Sequence, residues 1–176
     1  MTTDLKIDIE TIKKIVSEIN YPPGRMDTIK YDDSLIIVDY AHTPDAVLNV
    51  ISCVKEYCKG NIYTIVGCGG NRETTKRPLM AKCATDLSNY VIITNDNPRF
   101  EDPKDIIKDM TNGLENTNYE ICEDRVLAIH KGIDMLNKDD VLLILGKGHD
   151  DYQIIGDVKY HHDDKECVLK YIDKVM

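Results

Sequence analysis

Several kinds of residue pattern are missing from this 176-residue chain, and each absence removes a class of function. Basic clusters are scarce: 22 Lys/Arg stand against 31 Asp/Glu, for a net charge of −9. A nucleic-acid binder needs a basic face against phosphate, so that class is excluded, leaving Lys76-Arg77 as a local basic site only. No stretch approaches the roughly 18 continuous apolar residues of a membrane-spanning helix. The amino terminus carries Asp4, Asp8 and Glu10 and does not read as a signal peptide. None of the six cysteines forms a C-x-x-C pair, and four sit inside apolar patterns, which points to reduced thiols. The expectation is a soluble, cytoplasmic protein with one full-sized core.

Nucleotide-binding signatures fail in detail. Gly67-x-Gly69-Gly70 follows a strand, but the third glycine of G-x-G-x-x-G would fall at Arg72. Gly146-Lys147-Gly148 is too short for a phosphate-binding loop, and no G-x-x-x-x-G-K-[ST] occurs anywhere. No Ser/His/Asp or Cys/His set has a context that would make it a nucleophile. The cluster His149-Asp150-Asp151 with His161-His162-Asp163-Asp164 invites a metal reading, but helix caps and surface charge account for it better, so no metal site is assigned.

What the chain does have is alternation. Apolar runs at Leu35–Val38, Ile62–Val66, Tyr90–Ile93, Tyr119–Cys122 and Val141–Leu145 read as strands, most of them buried on both faces. Between them, helical stripes start behind Thr43-Pro44, near Thr75, behind Asp102-Pro103 and at Asp124, where caps and first-turn prolines belong. The stripes include Val47 to Cys58, in a helix expected to end at Lys59-Gly60, then Leu79, Met80, Cys83, Ala84 and Leu87, and later Val126, Ile129 and Ile133. An amphipathic helix is expected over Asp8–Ile19, ahead of Tyr21-Pro22-Pro23-Gly24, with Arg25-Met26-Asp27 as an extended lead-in. Tyr152–Tyr160 alternates around Gly156-Asp157 and suggests a hairpin. A last helix starts at Asp163-Asp164 and carries Val168, Leu169 and Ile172. The pattern predicts an α/β fold: a Rossmann-like, mostly parallel sheet with helices on both faces and an antiparallel edge near the carboxyl terminus.

Four of these strands end in loops able to do chemistry: Asp39–His42, Gly67–Arg72, Asn95–Arg99 and Gly146–Asp150. Right-handed crossovers bring all four to one edge of the sheet, where open α/β sheets bind ligands. The densest is Asp96-Asn97-Pro98-Arg99. Acceptors, an amide and a guanidinium together suit a molecule bearing both ammonium and carboxylate groups, which is an amino acid.

With these motifs in view the chain resembles the carboxy-terminal domain of the Mur ligase family. The resemblance rests on Pro23-Gly24-Arg25-Met26, Asp39-Tyr40-Ala41-His42-Thr43-Pro44-Asp45-Ala46, Gly67–Arg72, Lys76–Met80, Asp96–Arg99, Gly146–His149 and His161–Asp164, in matching order and spacing. It is strongest to the branch that adds meso-diaminopimelate to UDP-N-acetylmuramoyl-L-alanyl-D-glutamate in peptidoglycan synthesis, and it implies ATP-driven amide formation. The resemblance implies that Asp96, Asn97 and Arg99 select diaminopimelate, with Arg72 and Gly146 helping to hold a carboxylate and Asp150 an ammonium. The family usually carries glutamate at this last position, so the reach here is shorter. By the same resemblance Arg25, Asp39 and His42 close over ATP.

ATP and Mg2+ would be bound mainly by a central domain not present here, and the UDP-sugar dipeptide by the absent domains. Residues 1–20 resemble the end of that central domain and 21–176 the amino-acid-binding domain. The expectation is an excised or stand-alone domain with no catalytic residue of its own. The alternative is a non-catalytic amino-acid-binding protein, or one that pairs with a separate ATPase-domain polypeptide. Cyanophycin and folylpolyglutamate synthetases do not resemble the Asp96–Arg99 loop.

Overall fold

The computed structural model describes residues 22–175, so the helix expected over Asp8–Ile19 and the separate segment 1–20 lie outside the described residues. Five apolar runs form parallel strands: β2 (Ser34–Asp39), β3 (Ile62–Cys68), β4 (Tyr90–Asn95), β5 (Tyr119–Ile121) and β6 (Val141–Leu145). A further strand, β1 (Asp27–Tyr31), pairs antiparallel with β2, giving the order β1-β2-β6-β3-β4-β5.

Alternate residues of each central strand serve opposite faces, because strand side chains have a period of two. On one face Ile37, Val66, Ile93 and Leu143 meet α1 (Pro44–Lys55), α2 (Lys76–Leu87) and α3 (Pro103–Thr111). On the other, Ile36, Ile65, Ile92 and Leu142 meet α4 (Arg125–Asp134) and α5 (Asp164–Val175). The chain steps outward from β2 through β5 with its helices on the first face, then returns to β6 across the second. The connections therefore diverge around β3 and β6 and open a crevice at the carboxyl ends of the strands.

Helix starts follow local chemistry. Side chains of Thr43, Asp102 and Asp124 each accept a first-turn N–H, from Ala46, Lys104 and Leu127 respectively. Asp163 accepts from Glu166 N at 2.9 Å and so caps α5.

Three sequence expectations are corrected. Of the lead-in Arg25-Met26-Asp27 only Asp27 is extended, as the first residue of β1, while Met26 has φ of 48°; β1 is an edge strand that lacks the continuous apolar run of its neighbours. It turns into β2 through Asp32, whose φ is 48°. α1 stops at Lys55 rather than near Lys59, because the N–H groups of both Tyr57 and Cys58 bond back to Val54 O and tighten the chain into a turn. On α2, Ala81 is buried together with Met80 and Ala84, while Leu79 is exposed. Val126 and Leu169 are also exposed, beside the buried Ile129 and Val168 of their helices. The expected antiparallel hairpin near the carboxyl terminus is present as β7 (Tyr152–Ile155) and β8 (Val158–His161), which form their own two-stranded sheet, bridged from Ile155 to Arg99 of the loop after β4.

Candidate functional site

The four loops meet over the ends of β3 and β4 around a cavity of about 310 Å3. The loop after β2 contributes Tyr40 and His42, and the loop after β3 contributes Gly69 and Arg72. Asp96, Asn97 and Arg99 enter from β4, and Gly146 and Asp150 from β6. Lys76 and Met80 of α2 close the side. A second cavity, about 320 Å3 and more apolar, is lined by Leu35, Val54, Tyr57 and Val141 toward the amino-terminal ends of β2 and β6, and shares no lining residue with the first.

Arg99 is the most constrained member. Its backbone is left-handed, with φ of 54°, a conformation that costs a side-chain-bearing residue about 1–3 kcal/mol and persists only where the surroundings hold it. Here they do: Arg99 N donates to Ile154 O at 3.0 Å and Gly156 N donates to Arg99 O at 2.7 Å. Its Nη1 donates to Gly70 O at 2.9 Å and to Asn97 O at 3.3 Å. Neither Nε nor Nη2 has a partner among the described residues, so the edge able to take a carboxylate in bidentate fashion is left for a ligand.

The loops after β3 and β4 are joined to each other. Gly70 N donates to Asn97 O at 2.9 Å, Phe100 N to Asn71 Oδ1 at 3.1 Å, and Asn71 N to Glu101 Oε1. Arg77 is buried and consumed in the same joint, bonding Glu101 at 2.7 Å and Asp109 at 2.8 Å. It is therefore not half of a basic site; Lys76 alone faces the cavity, donating to His42 O at 2.8 Å.

Asn97 and Asp96 are held from below. Asn97 Oδ1 accepts from Lys147 Nζ at 3.0 Å and from Ile154 N at 2.9 Å. Two donors on one atom identify it as the oxygen and turn the amide NH2 the other way. Lys147 Nζ also lies 3.8 Å from Asp96 Oδ1. Burial pulls the lysine's pKa down, and Asp96 opposes that shift. Deeper still, Arg125 forms a two-pronged pair with Asp164, at 2.8 and 2.7 Å, and donates to Leu145 O at 3.1 Å. His162 Nε2 adds a third donor to Asp164 at 2.8 Å. Burial pushes the Asp164 carboxyl up, but Arg125 and His162 outweigh it and hold it well below the usual range.

Of the residues singled out in the sequence, Arg72, Asp96, Asn97, Arg99, Gly146, Asp150 and His42 line the cavity, while Arg25 and Asp39 do not. The Arg25 guanidinium lies 4.8 Å over the Tyr40 ring at the rim. Asp39 is buried and its carboxylate accepts from Met26 N at 2.9 Å and Ala41 N at 2.8 Å, tying the chain before β1 to the end of β2. The imagined metal cluster is dispersed: His149 stacks on Tyr40, Asp163 caps α5 and Asp164 serves Arg125. Sequence reasoning missed Lys76 and Met80 as lining residues, and it placed Tyr40, Gly67, Cys68 and Gly69 at this edge only as members of their loops. One signal existed for Lys76: a cation in the first turn of a helix opposes the helix dipole and calls for another reason to be there.

Residues 24–148 match the family described as Mur ligase, glutamate ligase domain. The chain is 49% identical over 167 residues to UDP-N-acetylmuramoyl-L-alanyl-D-glutamate--2,6-diaminopimelate ligase 2 of Clostridium acetobutylicum, covering 93% of this chain and 35% of that protein. It is 46% identical over 167 residues to the corresponding ligase of Bacillus cereus, covering 94% and 34%. A solved structure of such a 2,6-diaminopimelate ligase superposes with a TM-score of 0.85 at 38% identity, covering 96% of this chain and 35% of the other. The chain thus spans about a third of the length of these relatives. Family motif, sequence identity and superposed fold coincide on the same residues, and on that ground the chain belongs to the Mur ligase family, as its carboxy-terminal domain.

Proposed function

We propose that this chain is the amino-acid-receiving part of an ATP-dependent, amide-bond-forming ligase of peptidoglycan precursor synthesis, and that its cavity takes meso-diaminopimelate. The single observation that carries the reading is Arg99: its Nη1 is consumed by two carbonyls while its remaining edge has no partner among the described residues. Diaminopimelate has a distal carboxylate where lysine has none, and a fixed guanidinium distinguishes the two. Arg72 supplies a second cation, and Asp96 and Asp150 supply anions for the ammonium groups. The relatives named above carry 2,6-diaminopimelate in their names, which supports the same choice.

Ligation consumes ATP to activate a carboxylate of the UDP-N-acetylmuramoyl dipeptide. This chain's share is to hold the incoming amine in place, turning a bimolecular encounter into a local one. The rim cations Arg25 and Lys76, with His42, fit a contact with ATP phosphates. No group of three or more metal-ligating side chains occurs among the described residues, so Mg2+ and the phosphate loop are assigned to the rest of the ligase. No described helix is long and apolar enough to cross a membrane, and the proposed setting is the cytoplasm.

Titration calorimetry of the chain with meso-diaminopimelate and L-lysine tests the reading. Diaminopimelate should bind at least about tenfold more tightly, a difference near 1.4 kcal/mol; equal affinities refute it. A second reading, a binding domain without ligase activity of its own, is favoured for the isolated chain by the lack of a phosphate-binding loop in its sequence. Single-turnover assay with ATP, the nucleotide dipeptide and diaminopimelate separates the two, since product from this chain alone excludes the second.

A further inference from the structure

The β7–β8 hairpin is built against the loop that carries Arg99. Gln153 Nε2 donates to Asp96 O at 2.6 Å and Ile154 N to Asn97 Oδ1 at 2.9 Å. Arg99 N donates to Ile154 O at 3.0 Å, and Gly156 N to Arg99 O at 2.7 Å. Asp96, Asn97 and Arg99 are therefore each fixed by a residue of the hairpin. Lys147 lies under the joint with 1% exposure. Its Nζ bonds Asn97 Oδ1 on the loop and, at 2.8 Å, Tyr152 O at the start of the hairpin.

A buried ammonium is tolerable only where acceptors surround it, so Lys147 favours the one arrangement of loop and hairpin that presents them. That arrangement turns the Asn97 amide NH2 away from the lysine and holds the Arg99 backbone left-handed, with the guanidinium over Gly69. Without the lysine, Asn97 Oδ1 keeps one donor and the hairpin loses its tie beneath the loop.

We propose that Lys147 is a positioning residue for ligand selection: by joining Asn97 to the β7–β8 hairpin it holds the Arg99 guanidinium where a second carboxylate of an amino acid is read. Lys147 need not touch the ligand. The inference rests on the amino-acid reading of the cavity for its ligand, but not for the joint itself, and two measurements on the full chain keep these apart.

The first is amide hydrogen exchange without ligand. In Lys147→Met, which keeps the stem and removes the donors, the Arg99 and Gly156 amides should exchange at least about tenfold faster, with Leu143 in β6 unchanged. The second is calorimetry, where the ratio of meso-diaminopimelate to L-lysine affinity should fall about tenfold. Gln153→Met removes one outer bond and should move both readouts in the same direction by less, which preserves the test if Lys147→Met does not fold. Unchanged exchange at Arg99 overturns the proposal, as does equal loss of affinity for both amino acids, the signature of a merely structural lysine. If the unsubstituted chain itself fails to prefer diaminopimelate, the reading of the cavity falls and exchange alone decides whether Lys147 holds the loop.

Discussion

Gly69 leaves the space that the Arg99 guanidinium occupies: a Cβ at position 69 would stand 2.8 Å from Nη1 of Arg99. Its neighbour differs, since a Cβ on Gly70 would stand 1.9 Å from the backbone oxygen of Pro98. The first clash is with the end of a flexible side chain, the second with backbone that cannot yield.

The two glycines should therefore separate function from stability. Gly69→Ala should cost under about 1 kcal/mol of stability, while displacing Arg99 and weakening diaminopimelate binding. Gly70→Ala should destabilise by about 1–3 kcal/mol through forced movement of the joined loops. Urea unfolding together with calorimetry checks both; equal stability losses would contradict the assignment.

Arg99→Ala tests the proposed substrate directly. Loss of a charge-assisted, two-pronged contact should weaken diaminopimelate binding by about 1.5–3 kcal/mol. L-Lysine, lacking the distal carboxylate, should lose far less. Calorimetry with both ligands gives the comparison, and parallel losses would remove Arg99 from the selective role.

The buried pair of Arg125 and Asp164 makes stability depend on acid. Because the folded Asp164 carboxyl is held below its ordinary value of 3.8, its contribution is present above that pH and is lost as pH falls toward the folded value. Asp164→Asn should cost about 3–5 kcal/mol near neutrality, where it leaves Arg125 buried without its counter-charge. The gap between the variant and the unsubstituted chain should shrink below about pH 4, as measured by urea unfolding across pH 3 to 7. A gap independent of pH would mean that the pair carries no such linkage.

The cysteines should differ in reactivity. Cys53 is exposed, whereas burial pushes the Cys68 thiol up to about 12. Since the thiolate is the reactive form, iodoacetamide at pH 8 should label Cys53 readily and spare Cys68 until the chain is unfolded. Mass spectrometry of the labelled peptides reads the outcome; Cys68 lines the cavity, and its rapid labelling in the folded protein would contradict its burial.

Much of the fold is legible in the residues because its central strands are buried on both faces. That condition writes continuous apolar runs such as Val141–Leu145, with Pro44 and Pro103 marking helix starts between them. β1 escaped notice because an edge strand buries only one side and needs no such run. Leu79 and Ala81 were misjudged because α2 is only weakly amphipathic and buries Arg77 and Thr85, so its apolar residues do not mark its inward face. For the cavity, residues at strand ends were visible as polar loops, but Asp39 reads the same whether it faces a ligand or caps its own backbone. Only its two N–H partners reveal the second use.

By itself the sequence determined the strand–helix alternation, the edge of the sheet at which chemistry collects, and the family, because these depend on local periodicity and short motifs. The tertiary structure alone decided that Lys147 lies beneath Asn97, that Arg77 is taken out of the basic surface, and that the hairpin holds Arg99. Each joins residues far apart in the chain. Their worth comes from exclusion of water and from fixed hydrogen-bond geometry, which arise only once the chain has folded.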